Sequence, residues 1–247
     1  MKKVLNIVVI LFLATACKKE KSTTEITLTI ATPKVKLLTI GGDNIVYTYD
    51  NQGRILSRNN SSSNWRYEFS YANATVTENY FVGNTLSTTK LYDLNTDGLV
   101  TKEYYNFPTT AVPYKSIYTY NVNKQVASIV KSNTVNSNVI TETNFYTATT
   151  LDSSHTTFSY NNDLYRFWFT YYSDKTNTIA NKNQGYLFWA ETAAIPLKKQ
   201  TSIFKTNGIF NTQVDDYTYL FDTENKITKR TITTAGGGSS VNDITYY

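Results

Sequence analysis

The sequence predicts an all-β chain, an array of antiparallel β-hairpins forming one curled or wrapped sheet. Three observations carry that prediction. A phrase of aromatic, any residue, aromatic, then a polar turn, then alternating apolar residues recurs along the chain. Its two-residue spacing puts the paired aromatics on one face of a strand. Tyrosine (21), with abundant threonine and asparagine, suits strands and the turns between them, whereas Gly (10) and Pro (4) are scarce. No segment has the period of an amphipathic helix, and Thr178–Ala194 is the one stretch left for one.

Residues 1–16 read as a secretory signal peptide: Met-Lys-Lys, an apolar run from Val4 to Leu13, then Ala14-Thr15-Ala16. The run is too short to span a bilayer, which takes about 20 residues. Cys17, the single cysteine, follows directly, and Leu13-Ala14-Thr15-Ala16-Cys17 resembles a lipobox in the relaxed form common in Bacteroidota. Ala14 stands where leucine is more usual. The alternative, a plain signal peptide, leaves a free thiol with no partner in an oxidising compartment. Lipid attachment at Cys17, as diacylation with an N-linked acyl chain such as palmitate, supplies enough buried chain for stable anchoring. The implied address is the bacterial cell envelope, as an outer-membrane lipoprotein. Lys18 and Lys19, without an acidic cluster after the cysteine, lean to its periplasmic face.

Loss of Lys2 and Lys3 with the signal peptide lowers the formal net charge from +5 to +3. Lys18, Lys19 and Lys21 then sit beside the headgroups, and the remainder is close to neutral. No basic stripe is present, which excludes nucleic acid as a partner. Residues 17–36 are polar and aperiodic and read as a lipidated flexible tether. Residues 37–247 form the expected hairpin-repeat domain.

Within that domain the best copy of the phrase is Tyr47-Thr48-Tyr49-Asp50-Asn51-Gln52-Gly53-Arg54-Ile55, followed by Tyr118–Val126 and Tyr217–Ile227. Weaker copies begin at Tyr67, Leu91, Phe158 and Phe169. Asn207-Gly208 is the strongest short hairpin signal, since both residues accept the positive φ of a type I′ turn. Gly83-Asn84 predicts another, and residues 236–240 a looser loop before a closing strand, Asp243–Tyr247.

Tyr47–Ile55 resembles a YD repeat, the hairpin unit of large RHS-type proteins. The chain is also similar to small Bacteroidota lipoproteins of unknown function built from degenerate YD-like hairpins. In that group a segment resembling Gly185-Tyr186-Leu187-Phe188-Trp189 through Ile195-Pro196-Leu197 precedes a hairpin and a last YD-like strand pair. The same order runs here from Gly185 to Tyr247, and the likeness covers most of residues 40–247. Porphyrin binding has been ascribed to the group, so the resemblance implies a porphyrin or haem ligand. It supplies no catalytic residues.

Much chemistry is missing. The single histidine, His155, sits in a Ser/Thr run without a Gly-x-Ser-x-Gly elbow, which argues against a serine triad. One histidine and a lipidated cysteine cannot build a zinc site, and no phosphate-cradling glycine motif is present. Glu68, Glu78, Glu103, Glu142 and Glu191 fall singly on strands, and Asp215-Asp216 are neighbours expected on opposite faces. The expectation is a non-enzymatic binding or scaffold domain.

Three ligand sites can be written down. Asp93, Asn95 and Asp97 with Gly98 match the first half of a calcium loop, but Tyr104 occupies its twelfth position, and the same residues suit a tight turn. Iron in a porphyrin would take His155 or a tyrosinate. Trp65, Trp168 and Trp189, with Tyr171, Tyr172 and Tyr186, are candidates for an aromatic platform under a glycan, or for core. A protein partner would need an exposed apolar patch or a free edge strand.

Overall fold

Strands that alternate aromatic and polar residues need one dry face, and this chain obtains it by closing its sheet on itself. The computed structural model describes residues 33–106, 114–133, 137–148, 150–184, 186, 188 and 195–247. The strands are β1 (Val35–Ile40), β2 (Asp43–Tyr49), β3 (Ile55–Asn60), β4 (Trp65–Ala72), β5 (Thr75–Val82), β6 (Thr85–Leu94), β7 (Val100–Asn106) and β8 (Tyr114–Tyr120). They continue as β9 (Val126–Asn133), β10 (Val139–Thr147), β11 (Thr150–Phe158), β12 (Leu164–Tyr171), β13 (Leu197–Thr206), β14 (Ile209–Phe221), β15 (Ile227–Thr234) and β16 (Gly238–Tyr246). Each pairs antiparallel with its neighbours in sequence. In addition, β1 pairs with β16 through Leu38↔Ile244 and Ile40↔Asn242, which makes a closed barrel. The all-β reading therefore stands, and the open, curled or wrapped sheet is corrected to a barrel. Closure removes the unpaired edges that such an array would otherwise expose.

Two boundaries also shift. The first strand begins at Val35, inside the stretch expected as tether. The last begins at Gly238, within the expected loop, because Ser239 and Ser240 pair with Thr233 and Ile232. Cys17, Trp189 and Glu191 lie outside the described residues.

The turns divide the barrel into two ends. At one end the phrase following the aromatic pair folds as an Asx turn. The side-chain oxygen of Asp50 accepts from the N–H groups of Gln52 and Arg54, and Asn95, Asn121 and Asp222 repeat the arrangement. The fourth position of each turn is left-handed: Gly53, Gly98, Lys124 and Asn225 have φ of 73°, 76°, 62° and 59°. At the other end the hairpins are tighter. Asn207 and Gly208 have φ of 52° and 82°, as a type I′ turn requires.

Register sorts the side chains. Tyr47, Arg58, Tyr67, Tyr80 and Thr88 face one another in turn across β2 to β6 on the inner face. The residues between them, among them Thr48, Ser57, Glu68, Asn79 and Thr89, face out. At the Asx-turn end the inner face is packed: Ile55, Val76, Val100 and Ile227 have no solvent exposure, and Tyr47 and Tyr92 almost none. The connection from β12 to β13 enters this end. It makes a short 3-10 helix (Asn181–Gln184) and buries Tyr186 and Phe188 against Phe69, Tyr71 and Tyr92. Backbone bonds fix it, from Val100 N–H to the Phe188 carbonyl and from Ile227 N–H to Thr178 Oγ1. At the opposite end the inward-facing Val82, Lys131, Asn211 and Gln213 are exposed. Among the described residues the barrel is thus a cup, filled at one end and open at the other.

Candidate functional site

Above the filled end the inner face changes from aromatic to mixed. Arg58 on β3, Glu78 on β5, Lys90 on β6 and Glu103 on β7 all occupy positions in phase with the buried tyrosines. The strands' period of two leaves these charges no outward alternative. They are held by partners in the lumen. Tyr92 donates to Glu78 Oε2 at 3.0 Å and Tyr118 to Glu103 Oε2 at 2.7 Å, while Lys90 Nζ lies 3.2 Å from Glu103 Oε1. Burial pushes the phenols of Tyr92 and Tyr118 well above their ordinary range, and the neighbouring carboxylates add to it. For Lys90 burial works against the charge, but its hydrogen bond to Tyr105 and the carboxylates of Glu78 and Glu103 outweigh it and hold the ammonium above its usual range.

These side chains enclose a cavity of about 200 Å³ lined by Arg58, Tyr67, Glu78, Tyr80, Thr88, Lys90 and Tyr105. One wall is a ladder of flat groups. The Arg58 guanidinium lies 4.0 Å from the Tyr67 ring centre, and Tyr67 stacks on Tyr80 at 4.6 Å with 28° between planes. Lys90 sits over Tyr105 at 4.3 Å. A second cavity, about 290 Å³, lies at the filled end between the turns, against Arg54, Tyr71, Asp97 and Phe188.

Of the ligand candidates singled out in the sequence, Asp97 and Gly98 border the second cavity, and the others do not converge on either. His155 and Trp168 face outward, on β11 and β12, where His155 lies 5.0 Å from Phe145 and 6.2 Å from Trp168. Trp65 faces the lumen at the open half, edge-on to Tyr67. Tyr171 and Tyr186 belong to the packed end: Tyr171 donates to the Leu151 carbonyl, and Tyr186 is buried. Tyr172 donates to the carbonyl of Tyr217. Of the calcium-loop residues, Asn95 receives two backbone N–H groups, Asp93 accepts from Tyr104 at 3.2 Å, and Asp97 pairs with Lys124 at 2.7 Å. No group of three or more His, Cys, Asp or Glu residues that could hold a metal occurs among the described residues. Asp215 and Asp216 face opposite sides, inward and outward, as their adjacency requires.

What sequence reasoning missed was the lumen cluster. For two members the signal was present as phase: Glu78 falls in step with Tyr80 and Lys90 with Tyr92, whereas Arg66 and Glu68 alternate with Trp65, Tyr67 and Phe69. Arg58 lies on β3, which has no aromatic and is separated from Ile55 by a register shift.

Fold and lumen together define a closed antiparallel β-barrel with a charged and aromatic interior. Two solved structures are similar to it. A porin-like protein from Bacteroides uniformis ATCC 8492 superposes with a TM-score of 0.62 at 12% identity, covering 86% of this chain and 96% of that one. A porin-like protein from Bacteroides vulgatus ATCC 8482 superposes with a TM-score of 0.64 at 10% identity, covering 87% and 99%. At such identities the likeness is one of fold. No protein-family model and no curated protein sequence matches the chain.

Proposed function

We propose that this chain is a non-enzymatic, lipid-tethered protein of the bacterial cell envelope whose barrel stands in water and holds a small molecule in its lumen. One observation carries the reading: the tyrosine ladder lies inside, whereas the outer face mixes charged side chains with apolar ones such as Leu91, Ile117, Phe145 and Trp168. The porin-like neighbours support an envelope address. A spanning wall, however, offers lipid an apolar band about 25 Å tall. The outward rows here carry Arg66, Glu68, Lys102, Lys199, Lys229 and Asp243. A single Lys or Arg at the bilayer midplane costs about 2–4 kcal/mol, so this wall favours water. Membrane attachment then falls to the lipid on Cys17.

The cup form supports binding over conduction, since the packed end leaves Ile55, Val76, Val100 and Ile227 without water. The test is to export residues 18–247 behind a cleavable signal peptide without the cysteine. Release of the barrel into the soluble periplasmic fraction is expected. Retention in carbonate-washed membranes would mean that the wall itself inserts, and would overturn the reading.

A further inference from the structure

We infer that the lumen cavity binds a small organic anion, whose carboxylate or phosphate head is taken by the fork of Arg58. The inference rests on the lumen-binding reading and gives its ligand a chemical class. Its basis is a cation without an ion pair or a hydrogen bond among the described residues, although the carboxylate of Glu78 in the same cavity favours its charge. Arg54 and Arg66 each have a carboxylate oxygen at 2.7 Å, and Lys90 has Glu103. Arg58 is different: among the described residues it makes no ion pair, and its buried Nε has no hydrogen-bond partner. The side chain is nevertheless fixed, because rings hold its plane, Tyr67 at 4.0 Å, Trp65 at 5.9 Å and Tyr186 at 6.0 Å. A guanidinium always carries charge and presents donors in a rigid, planar fork that matches carboxylate and phosphate. A fork held in place by aromatic stacking, with its donors unspent and bordering a cavity, is preorganised for such a head group.

The rest of the cavity agrees in chemistry and size. Lys90 is paired with Glu103, which leaves Arg58 and Glu78 as the lining charges without an ion pair among the described residues. Tyr80 and Tyr105 flank the space with flat, half-polar surfaces that suit a ring. At about 200 Å³ the cavity lies below the roughly 300–1,000 Å³ of drug-sized sites, so the ligand is a one-ring molecule rather than a large cofactor. Tyr186 Oη, close by in the segment that fills the barrel, is likewise buried without a partner, so this wall of the lumen holds more unspent polar capacity than the protein itself uses.

The experiment is calorimetric titration of the full chain, purified in detergent, with benzoate, phenyl phosphate and the neutral analogue benzamide. One anion is expected to bind at one equivalent, with benzamide weaker by about tenfold or more. Which anion binds more tightly names the head group. Arg58→Gln should lose about tenfold or more, Arg58→Lys should recover part of that by restoring charge without the fork, and Arg66→Gln on the outer face should bind like the parent. If Arg58→Gln does not fold, Arg58→Lys carries the test, and an unchanged affinity in it overturns the assignment. Equal binding of benzamide and benzoate leaves the lumen site standing and removes the anion. Binding of none of the three removes both.

Discussion

The hydroxyl of Tyr71 donates to the carbonyl oxygen of Ile55 at 2.8 Å, beyond the last ladder pair that joins β3 to β4, Ser57↔Glu68. The same latch closes other strand pairs at the filled end. Tyr49 reaches Val35, Tyr120 reaches Val100, Tyr146 reaches Val126, Tyr171 reaches Leu151 and Tyr246 reaches Ile227. In each case a tyrosine near the end of one strand pins the first or second residue of the preceding strand, where the two backbones have stopped pairing.

Removing one latch should therefore cost one hydrogen bond and little else. Tyr71→Phe keeps the ring against Phe188 and loses the donor, so a destabilisation of about 0.5–1.5 kcal/mol is expected. In a domain of this size that lowers Tm by roughly 2–4 °C per kcal/mol. An unchanged melting curve would show that the bond makes no net contribution.

The latches also set an alkaline limit. Burial raises the phenols of Tyr120, Tyr146 and Tyr246 to about 12, from an ordinary value of 10.0. These groups are protonated and neutral in the fold, so their contribution is complete below pH 10 and is lost as pH rises through 12. Tyr47, Tyr92 and Tyr118 are shifted the same way by burial. Tyrosinate absorbance and loss of β-sheet circular dichroism should consequently rise together. Ionisation of these phenols well before unfolding would refute the coupling.

The Asx turns offer a pair of opposite outcomes. Gly98 and Lys124 occupy the same left-handed position in sister turns, where a side chain costs roughly 1–2 kcal/mol. A Cβ at Gly98 would meet nothing within 4 Å, so Gly98→Ala should lose about 1 kcal/mol through backbone strain alone. Lys124→Gly should relieve that strain and give up only an exposed ion pair with Asp97, for a net gain of about 0.5 kcal/mol. Chemical denaturation of both variants checks the two signs.

Deleting Asp243–Tyr247 tests closure. Ile244 and Thr245 pair with Leu38 and Leu37, and Asp243 also pairs with Lys229. The deletion leaves β1 joined to β16 only at Ile40↔Asn242 and removes the Tyr246 latch, so a clearly lower Tm and a tendency to associate through the exposed edge are expected. A melt and a sedimentation profile like the parent's would contradict the pairing.

Local features of this fold were legible and distant ones were not. The aromatic pairs Tyr47/Tyr49 and Tyr118/Tyr120, the turn at Asn207-Gly208 and the opposed faces of Asp215 and Asp216 each follow from neighbouring residues, because period and turn chemistry act over a few positions. Closure depends on Leu38 meeting Ile244, and nothing within either strand specifies a partner some two hundred residues away. Tyr186 and Phe188 lack a period of their own because they pack as single side chains into a space made by β4, β6 and β7. The lumen charges were visible as single acids and bases. Their grouping was hidden, since it arises only when β3 to β7 lie side by side.

Both described ends of the chain lie at the filled end, where the Tyr247 N–H donates to the Lys34 carbonyl at 3.1 Å and the Tyr247 hydroxyl to that of Tyr47 at 2.8 Å. The chain therefore enters the barrel and closes it at the same sealed base. The mouth carries neither described end, so an added domain or tag at Tyr247 would lie away from the opening through which a lumen ligand passes.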